Sequence, residues 1–376
     1  MNPLRVLMAG GGTAGHLFPC LAVAEELAEL AEDLQVHYVG AVGRIDAEVL
    51  AERGLPHDLL PALPLPYRMS AEAIAGFRAL VRSTLLSRRI IARFRPDVLF
   101  STGGFVGAPV ALAARLARVP VVLHVADALP DRSNRMLARW ATAITAASPA
   151  AGSRLERPVI VTGHPIRREV ALAQRGPARS QFGMSGDQLL LAVTGGSQGA
   201  RTLNRAVVEA LPHLLEQLGA RIVHLCGSLD YEDLRREVAE RYGQAPGYDL
   251  IERLADTGPL LAAADLIICR AGAASIAEAC LHALPMIVVP YPFAGGHQRF
   301  NAEPLVEAGA AVMIEDADFT GERLIQIADE LVGEPGRLAR MSEAAHAAAD
   351  PCAARDVARV VAQAAGRPLA DQPANG

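Results

Sequence analysis

At 376 residues the chain is too long for one ordinary hydrophobic core and suits two domains of typical size. Hydrophobic residues make up 51% and charged residues 20%, a balance that excludes a disordered polymer and fits a folded soluble protein. The formal net charge is −5, and all 36 cationic side chains are arginine; this reads as coding bias, and no nucleic-acid partner is expected.

Short β-branched or Leu-rich runs alternate with helical patterns from the first residues onward. Strands are predicted at 5–9, 35–40, 97–102, 119–125, 143–148 and 159–163, then at 189–195, 221–227, 248–254, 266–272, 286–292 and 310–315. Helices are predicted at 17–31, 71–95, 108–117, 132–141, 202–218, 231–242, 275–283 and 299–308, with a last amphipathic one at about 352–365. Strands separated by helices imply right-handed crossovers and parallel sheets, hence an α/β protein. A glycine-rich strand-to-helix turn opens each half, "LMAGGGTAGHLFP" at 7–19 and "LAVTGGSQGARTLN" at 191–204. Two Rossmann-like domains of about six strands each are therefore expected, 1–164 and 165–350, with the final helix (352–366) packing back on the first. The cysteines, Cys20, Cys226, Cys269, Cys280 and Cys352, show no metal-ligand spacing, which fits a reduced cytosolic protein. The N-terminus lacks a signal-peptide pattern, and no uncharged apolar run approaches the ~20 residues a membrane span needs, so the chain is expected to be neither exported nor integral.

The first turn looks built for phosphate, since glycines let backbone N–H groups approach an anion and the following helix adds its dipole. Gly10, Gly12 and Gly15 satisfy G-x-G-x-x-G, but the second strand ends at Val39-Gly40 without the acidic residue that would hold a dinucleotide ribose; Asp46 and Glu48 come only after a loop. The second half holds the richer nucleotide kit. In "CRAGAASIAEA" (269–279), Ser275 is placed to N-cap a helix with Glu278 three residues on. This is either a plain capping box or a turn that holds a diphosphate while Glu278 meets a ribose diol. "YPFAGGHQRFNAEPL" (291–305) crowds His297, Gln298 and Asn301 beyond a strand, as ligand sites do.

"GGGTAGHLFP", "STGGFVGAP", "VTGGSQGARTLN", "CRAGAASIAEA" and "HQRFNAEPLVEAGAA", in that order and spacing over roughly residues 4 to 350, resemble the MurG family of peptidoglycan N-acetylglucosaminyltransferases. "LLPALPLPYR" is similar to its actinobacterial members. The resemblance implies the GT-B fold, two Rossmann-like domains facing a cleft. It also implies UDP-N-acetylglucosamine as donor and no cofactor. The acceptor would be the polyprenyl-diphosphate-linked muramoyl-pentapeptide (lipid I), and the location cytoplasmic and peripheral on the inner face of the cell membrane. Carried over residue by residue, it assigns Gly12, Thr13, His16, Gly103 and Gly104 to the acceptor. Thr13, Ala14, Gly15, Asp127, Arg167, Ser197, Leu254, Gly272, Ala273, Ala274, Ser275, Glu278 and Gln298 go to the donor, with His16 and Glu278 as the catalytic pair.

Inverting transfer needs a base for the attacking hydroxyl and charge stabilisation for the leaving diphosphate. His16 is the candidate base; its other reading is a ring that caps the first helix or hydrogen-bonds across the cleft. Arg167 is the candidate phosphate cation, with Arg168 beside it. The only Asp-x-Asp, Asp316-Ala317-Asp318, reads as a turn, and no metal is predicted. The segment 73–95 places Ile74, Phe77, Leu80, Val81, Leu85 and Ile91 near helical spacing among arginines, which is either a cationic helix for an anionic membrane surface or an ordinary surface helix. Two stretches depart from the family pattern: "HVAD" (124–127) loses a glutamate and has Asp127 for asparagine, and His297 stands where glutamine or glutamate is usual. A related transferase acting on another lipid-linked or natural-product acceptor, or a UDP-sugar epimerase on the same frame, are the competing readings.

Overall fold

A computed structural model describes residues 2–63, 71–184, 186, 188–196, 198–293, 296–367 and 369. Its contacts divide the chain into two units, residues 1–167 with 352–376, and residues 168–351. The division falls after Arg167, not at the expected 164/165. The cause is packing: the His164 ring meets the His124 ring edge-on at 5.8 Å, and the Arg167 guanidinium lies 4.0 Å over Phe18, so both residues belong with the first unit.

The first unit is a seven-stranded parallel sheet, ordered β3-β2-β1-β4-β5-β6-β7. The strands are β1 Leu4–Gly10, β2 Leu34–Ala41, β3 His57–Leu60, β4 Val98–Gly103, β5 Val121–Val125, β6 Ala143–Ala146 and β7 Ile160–Val161. Its helices are α1 Ala14–Leu30, α2 Ile45–Glu52, α3 Ala71–Phe94, α4 Gly104–Leu116, α5 Arg132–Ala138 and α6 Pro149–Leu155. Strand β3 and helices α2 and α6 add to the predicted elements. "HDLL" offers no β-branched residue to signal a strand, and becomes one by pairing with β2, His57 opposite Tyr38. Strands β1, β4 and β5 are buried throughout on both faces but for Arg5, as a sheet covered by helices on each side demands.

Helix α3 turns its faces in an unexpected way. Phe77, Val81 and Leu85, four residues apart and so on one stripe, point to solvent, while Ser83, Ser87, Ile90 and Ile91 are buried on the other side. Ile91, with Leu80 eleven residues before it, therefore lies on the inward side and does not share the stripe of Phe77, Val81 and Leu85. Ser87 and Thr84 tolerate burial because their hydroxyls donate back to the carbonyls of Ser83 and Leu80. Among the described residues no helix is long and apolar enough to cross a membrane.

The second unit is a six-stranded parallel sheet, ordered β10-β9-β8-β11-β12-β13. Its strands are β8 Leu190–Thr194, β9 Arg221–Leu225, β10 Tyr248–Ile251, β11 Leu266–Cys269, β12 Met286–Val288 and β13 Ala311–Met313. The helices are α7 Arg168–Ala171, α8 Arg175–Gln181, α9 Arg201–Pro212, α10 Tyr231–Tyr242, α11 Gly258–Ala263, α12 Ala273–Leu281, α13 His297–Glu307, α14 Gly321–Gly333 and α15 Arg337–Ala347. The last helix, α16 Ala353–Ala364, packs on α1 of the first unit, where Val357, Ala358, Val361 and Ala362 join the core of Val6, Met8, Leu21 and Phe100. In each sheet the strand order reverses beside the strand that carries the glycine turn, between β1 and β4 and between β8 and β11. Loops diverge at such a point and leave room for a ligand at the carboxyl ends.

Candidate functional site

In the first unit the turn after β1 is filled from within. The Gly12 N–H donates to both carboxylate oxygens of Asp46, at 3.0 and 2.7 Å, and the Ala41 N–H adds a third bond at 2.8 Å. Asp46 is fully buried, and that burial pushes its carboxyl above the usual range even though the three N–H bonds pull the other way. The turn is thus not the empty phosphate cradle its glycines suggest, because a side chain already supplies the anion. The glycines make room for it: a Cβ on Gly11 would stand 2.4 Å from Asp46 Oδ2, and one on Gly40 2.7 Å from Asp46 Cβ. Gly12, at φ +95°, lies so close to the Phe105 ring that a Cβ would come within 2.3 Å of it.

His16 is half-buried on the first turn of α1, its Nδ1 3.1 Å from the Thr102 carbonyl, while the Thr102 hydroxyl donates back to the His16 carbonyl at 2.8 Å. A carbonyl only accepts, so Nδ1 carries the proton of the neutral ring and Nε2 keeps a lone pair. The ring does not cap α1; the cap position belongs to Thr13. Gly104, at φ +70°, leaves 3.3 Å between His16 Nε2 and the place a Cβ would take. Gly103, at φ +87°, has Asn134 Oδ1 in that place, 1.9 Å away. Gly12, Thr13, His16, Gly103 and Gly104 therefore gather at the β1/β4 switch point. Behind them His124 and His164 form the buried pair described above. His124 Nδ1 meets the Thr145 hydroxyl at 3.0 Å, while His124 Nε2 and His164 Nδ1 have no partner among the described residues. Burial drives both rings toward neutrality, His124 well below the usual range and His164 down to about 4, with the Asp127 carboxylate pulling His164 partly back. Asp127 follows β5, so Thr13, Ala14, Gly15, Asp127 and Arg167, all expected at the donor, belong to the first unit.

The second unit gathers the remainder. Helix α12 starts two residues before the sequence pattern suggests, so Gly272 is its N-cap and Ser275 lies inside the first turn. Gly272 has no side chain to cap this turn, so the backbone N–H groups of Ala273, Ala274 and Ser275 stand at the positive end of the helix without a side-chain cap among the described residues. The reason it starts early is the Ala271-Gly272 bend: the Asn301 amide of α13 donates to the Ala271 carbonyl at 3.1 Å. Gln298 spends its oxygen on the Tyr291 N–H at 2.9 Å, which turns its NH2 toward Gly272. A Cβ on Gly272 would stand 3.8 Å from that nitrogen and 3.9 Å from Ser275 Oγ. Glu278 is half-buried one turn further along α12, and Leu254 is half-buried in the loop after β10, which ends earlier than predicted. Ser197 lies outside the described residues. Arg270 braces the scaffold: its Nη1 donates to the Val289 carbonyl at 3.1 Å and to Asp316 at 2.5 Å, and the other Asp316 oxygen takes the Thr202 hydroxyl at 3.1 Å. The Asp-x-Asp of Asp316 and Asp318 is a single turn of 3₁₀ helix. Asp46 and Thr102 escaped the sequence reading; the pairing of Gly11 with Gly40, both forced by one carboxylate, is the signal that finds Asp46.

The glycosyltransferase family 28 N-terminal domain matches residues 6–146 and the family 28 C-terminal domain residues 190–357. A curated relative from Desulforudis audaxviator (strain MP104C), a UDP-N-acetylglucosamine--N-acetylmuramyl-(pentapeptide) pyrophosphoryl-undecaprenol N-acetylglucosamine transferase, is 37% identical over 97% of this chain and 99% of its own. One of the same name from Acidothermus cellulolyticus is 38% identical over 96% and 98%. The crystal structure of Acinetobacter baumannii MurG superposes with a TM-score of 0.72 at 26% identity, covering 96% of this chain and all of that one. Near-complete coverage by relatives of one name, on a chain matched by both family 28 domains, shows that this protein belongs to the MurG family of glycosyltransferases.

Proposed function

We propose that the protein moves N-acetylglucosamine from UDP-N-acetylglucosamine to the muramoyl 4-hydroxyl of lipid I, with inversion, to give lipid II. The observation that carries this reading is the full-length identity with transferases named for that reaction. In the step, the acceptor oxygen bonds to the sugar C1 as the C1–oxygen bond to UDP breaks, and the hydroxyl proton goes to a base. His16 suits that role because the Thr102 carbonyl holds its proton on Nδ1 and leaves the Nε2 lone pair free to accept. The negative charge gathering on UDP suits the uncapped start of α12, with Ser275 and the Gln298 NH2 beside it and Glu278 toward the ribose. The reaction balances with donor and acceptor alone, and no cofactor or metal is given a step. Incubation with labelled UDP-N-acetylglucosamine and a short-chain lipid I analogue tests it: label should appear in the acceptor only when the analogue is present. Label passing to a different polyprenyl or natural-product acceptor, and not to this one, would replace the reading with that of a related transferase.

A lipid-linked acceptor requires the enzyme at a membrane surface, and α3 fits that need. Phe77, Val81 and Leu85 are 62%, 45% and 55% exposed, and with Pro61 and Leu63 they line a groove of about 700 Å³ edged by Arg78 and Arg82. Apolar side chains for the acyl boundary and guanidinium groups for anionic headgroups make a two-part anchor on the cytoplasmic leaflet. Sedimentation with vesicles of anionic phospholipid should carry the protein down, and Phe77→Ser with Val81→Ser and Leu85→Ser should leave it in the supernatant. Equal sedimentation of both proteins would exclude α3 as the anchor.

A further inference from the structure

Beyond the carboxyl end of β12 stand two rings to which the transfer reading gives no part. Only three aromatic side chains are exposed among the described residues: Phe77 in the α3 groove, and Tyr291 and Phe293, 41% and 67% exposed. The last two meet edge to face, their ring centroids 5.4 Å apart and their planes at 64°. A pair of rings left in water costs free energy that burial against a ligand would recover. The pair is braced. The Arg270 guanidinium, tied to the Val289 carbonyl and to Asp316, stands 5.8 Å from the centre of the Tyr291 ring. Pro292 stiffens the backbone between the two rings, and the Gly296 N–H donates to the Phe293 carbonyl at 3.2 Å.

Tyr291 is also joined to the start of α12. The Gln298 side chain whose NH2 turns toward Gly272 accepts the Tyr291 N–H on its oxygen at 2.9 Å, so one amide connects the ring pair to that helix. With the diphosphate on the start of α12 and the ribose toward Glu278, the sugar at the other end of the donor falls on the Gln298 side. Any hexose offers hydroxyls to an amide, but N-acetylglucosamine adds a planar acetamido group that ends in a methyl. Two rings inclined at 64° form a corner, which fits a small planar group and its methyl better than the broad face of a pyranose ring. We infer that Tyr291 and Phe293 are specificity-determining residues: their corner receives the acetamido methyl of the donor sugar and so selects UDP-N-acetylglucosamine over UDP-hexoses with a hydroxyl in its place. This rests on the donor reading of α12.

The test uses the full-length protein, with binding of UDP, UDP-N-acetylglucosamine and UDP-glucose measured by calorimetry beside the thermal midpoint. The parent is expected to bind UDP-N-acetylglucosamine about ten-fold more tightly than UDP-glucose, the order of selectivity that an apolar site gains from one small group. Phe293→Ala and Tyr291→Ala should each remove most of that preference while UDP affinity stays within about two-fold of the parent. Phe293→Tyr keeps a ring and should keep the preference. An unchanged preference in Phe293→Ala overturns the inference, and so does an equal loss for all three ligands, which would make the ring part of the scaffold. If Tyr291→Ala does not fold, Phe293→Ala, which removes an exposed ring, decides alone. A parent protein that binds UDP but does not separate the two sugars overturns the inference and leaves the donor reading standing. Failure of the parent to bind UDP at all overturns the donor reading and the inference with it.

Discussion

The glycine turns after β1 and after β8 share a spelling, a parallel strand before them and a helix behind, yet their backbones meet different partners. After β1, Asp46 enters the turn and takes the Gly12 N–H, and the glycines are there to clear space for a carboxylate and a phenyl ring. After β8, the glycines let one loop rest on another, and the neighbouring helix α12 begins at a glycine N-cap, which makes no side-chain cap hydrogen bond. A glycine-rich turn therefore announces close approach of backbone to something, and the sequence of the turn does not say whether that something is a ligand, a side chain or another loop.

The largest effect that would separate the two regions is catalytic. His16→Ala should lower kcat by about 10²- to 10⁴-fold, the usual share of a general base, while UDP affinity stays near that of the parent. A variant that keeps near-normal turnover removes His16 from the chemistry and leaves the first turn a structural element only. Next in size is stability. Asp46→Ala strands the Gly12 and Ala41 N–H groups in the interior, and should cost about 2–4 kcal/mol in urea unfolding without changing UDP affinity in the folded fraction. A weaker grip on UDP in that variant would show that the first turn also serves the donor, and the comparison would fail.

The smallest effect concerns pH. The folded rings of His164 and His124 take up protons far below the ordinary value of 6.5, and the unfolded chain does so near it. Between about pH 6.5 and 4 the unfolded state therefore binds more protons, and stability falls as the pH falls, by roughly 1.4 kcal/mol per pH unit for each such ring. His224 in the second unit adds to the same slope. His164→Gln should flatten the fall measured between pH 6 and 5 by one ring's share; an unchanged slope would mean that the His164 ring already charges in the folded protein.

Much of this arrangement is legible in the sequence because both sheets are parallel and buried, and strands of that kind announce themselves as unbroken apolar runs between helices. The switch points are legible too, since a glycine-rich turn follows the strand beside each of them. What escapes is contact between distant residues. In the sequence Asp46 is only an acidic residue that comes after a loop, too late to hold a ribose, and only the fold brings it 2.7 Å from Gly12. Ser275 looks like an N-cap by type and spacing, but Asn301 on another helix pins the bend earlier and gives that place to Gly272. The arginines of 73–95 suggest an amphipathic helix, yet which stripe faces inward is decided by packing on α4, where serines fit and Phe77 does not.

Helix α16 supplies Val357, Val361 and their alanine neighbours to a core otherwise built from the first 125 residues, and the Arg367 guanidinium reaches the Asn2 carbonyl. During synthesis those valines emerge only after the whole of the second unit. The patch on α1 and the amino-terminal sheet that α16 covers therefore stays open while the intervening unit emerges, so the first unit closes its core by a contact between residues more than three hundred apart in the chain.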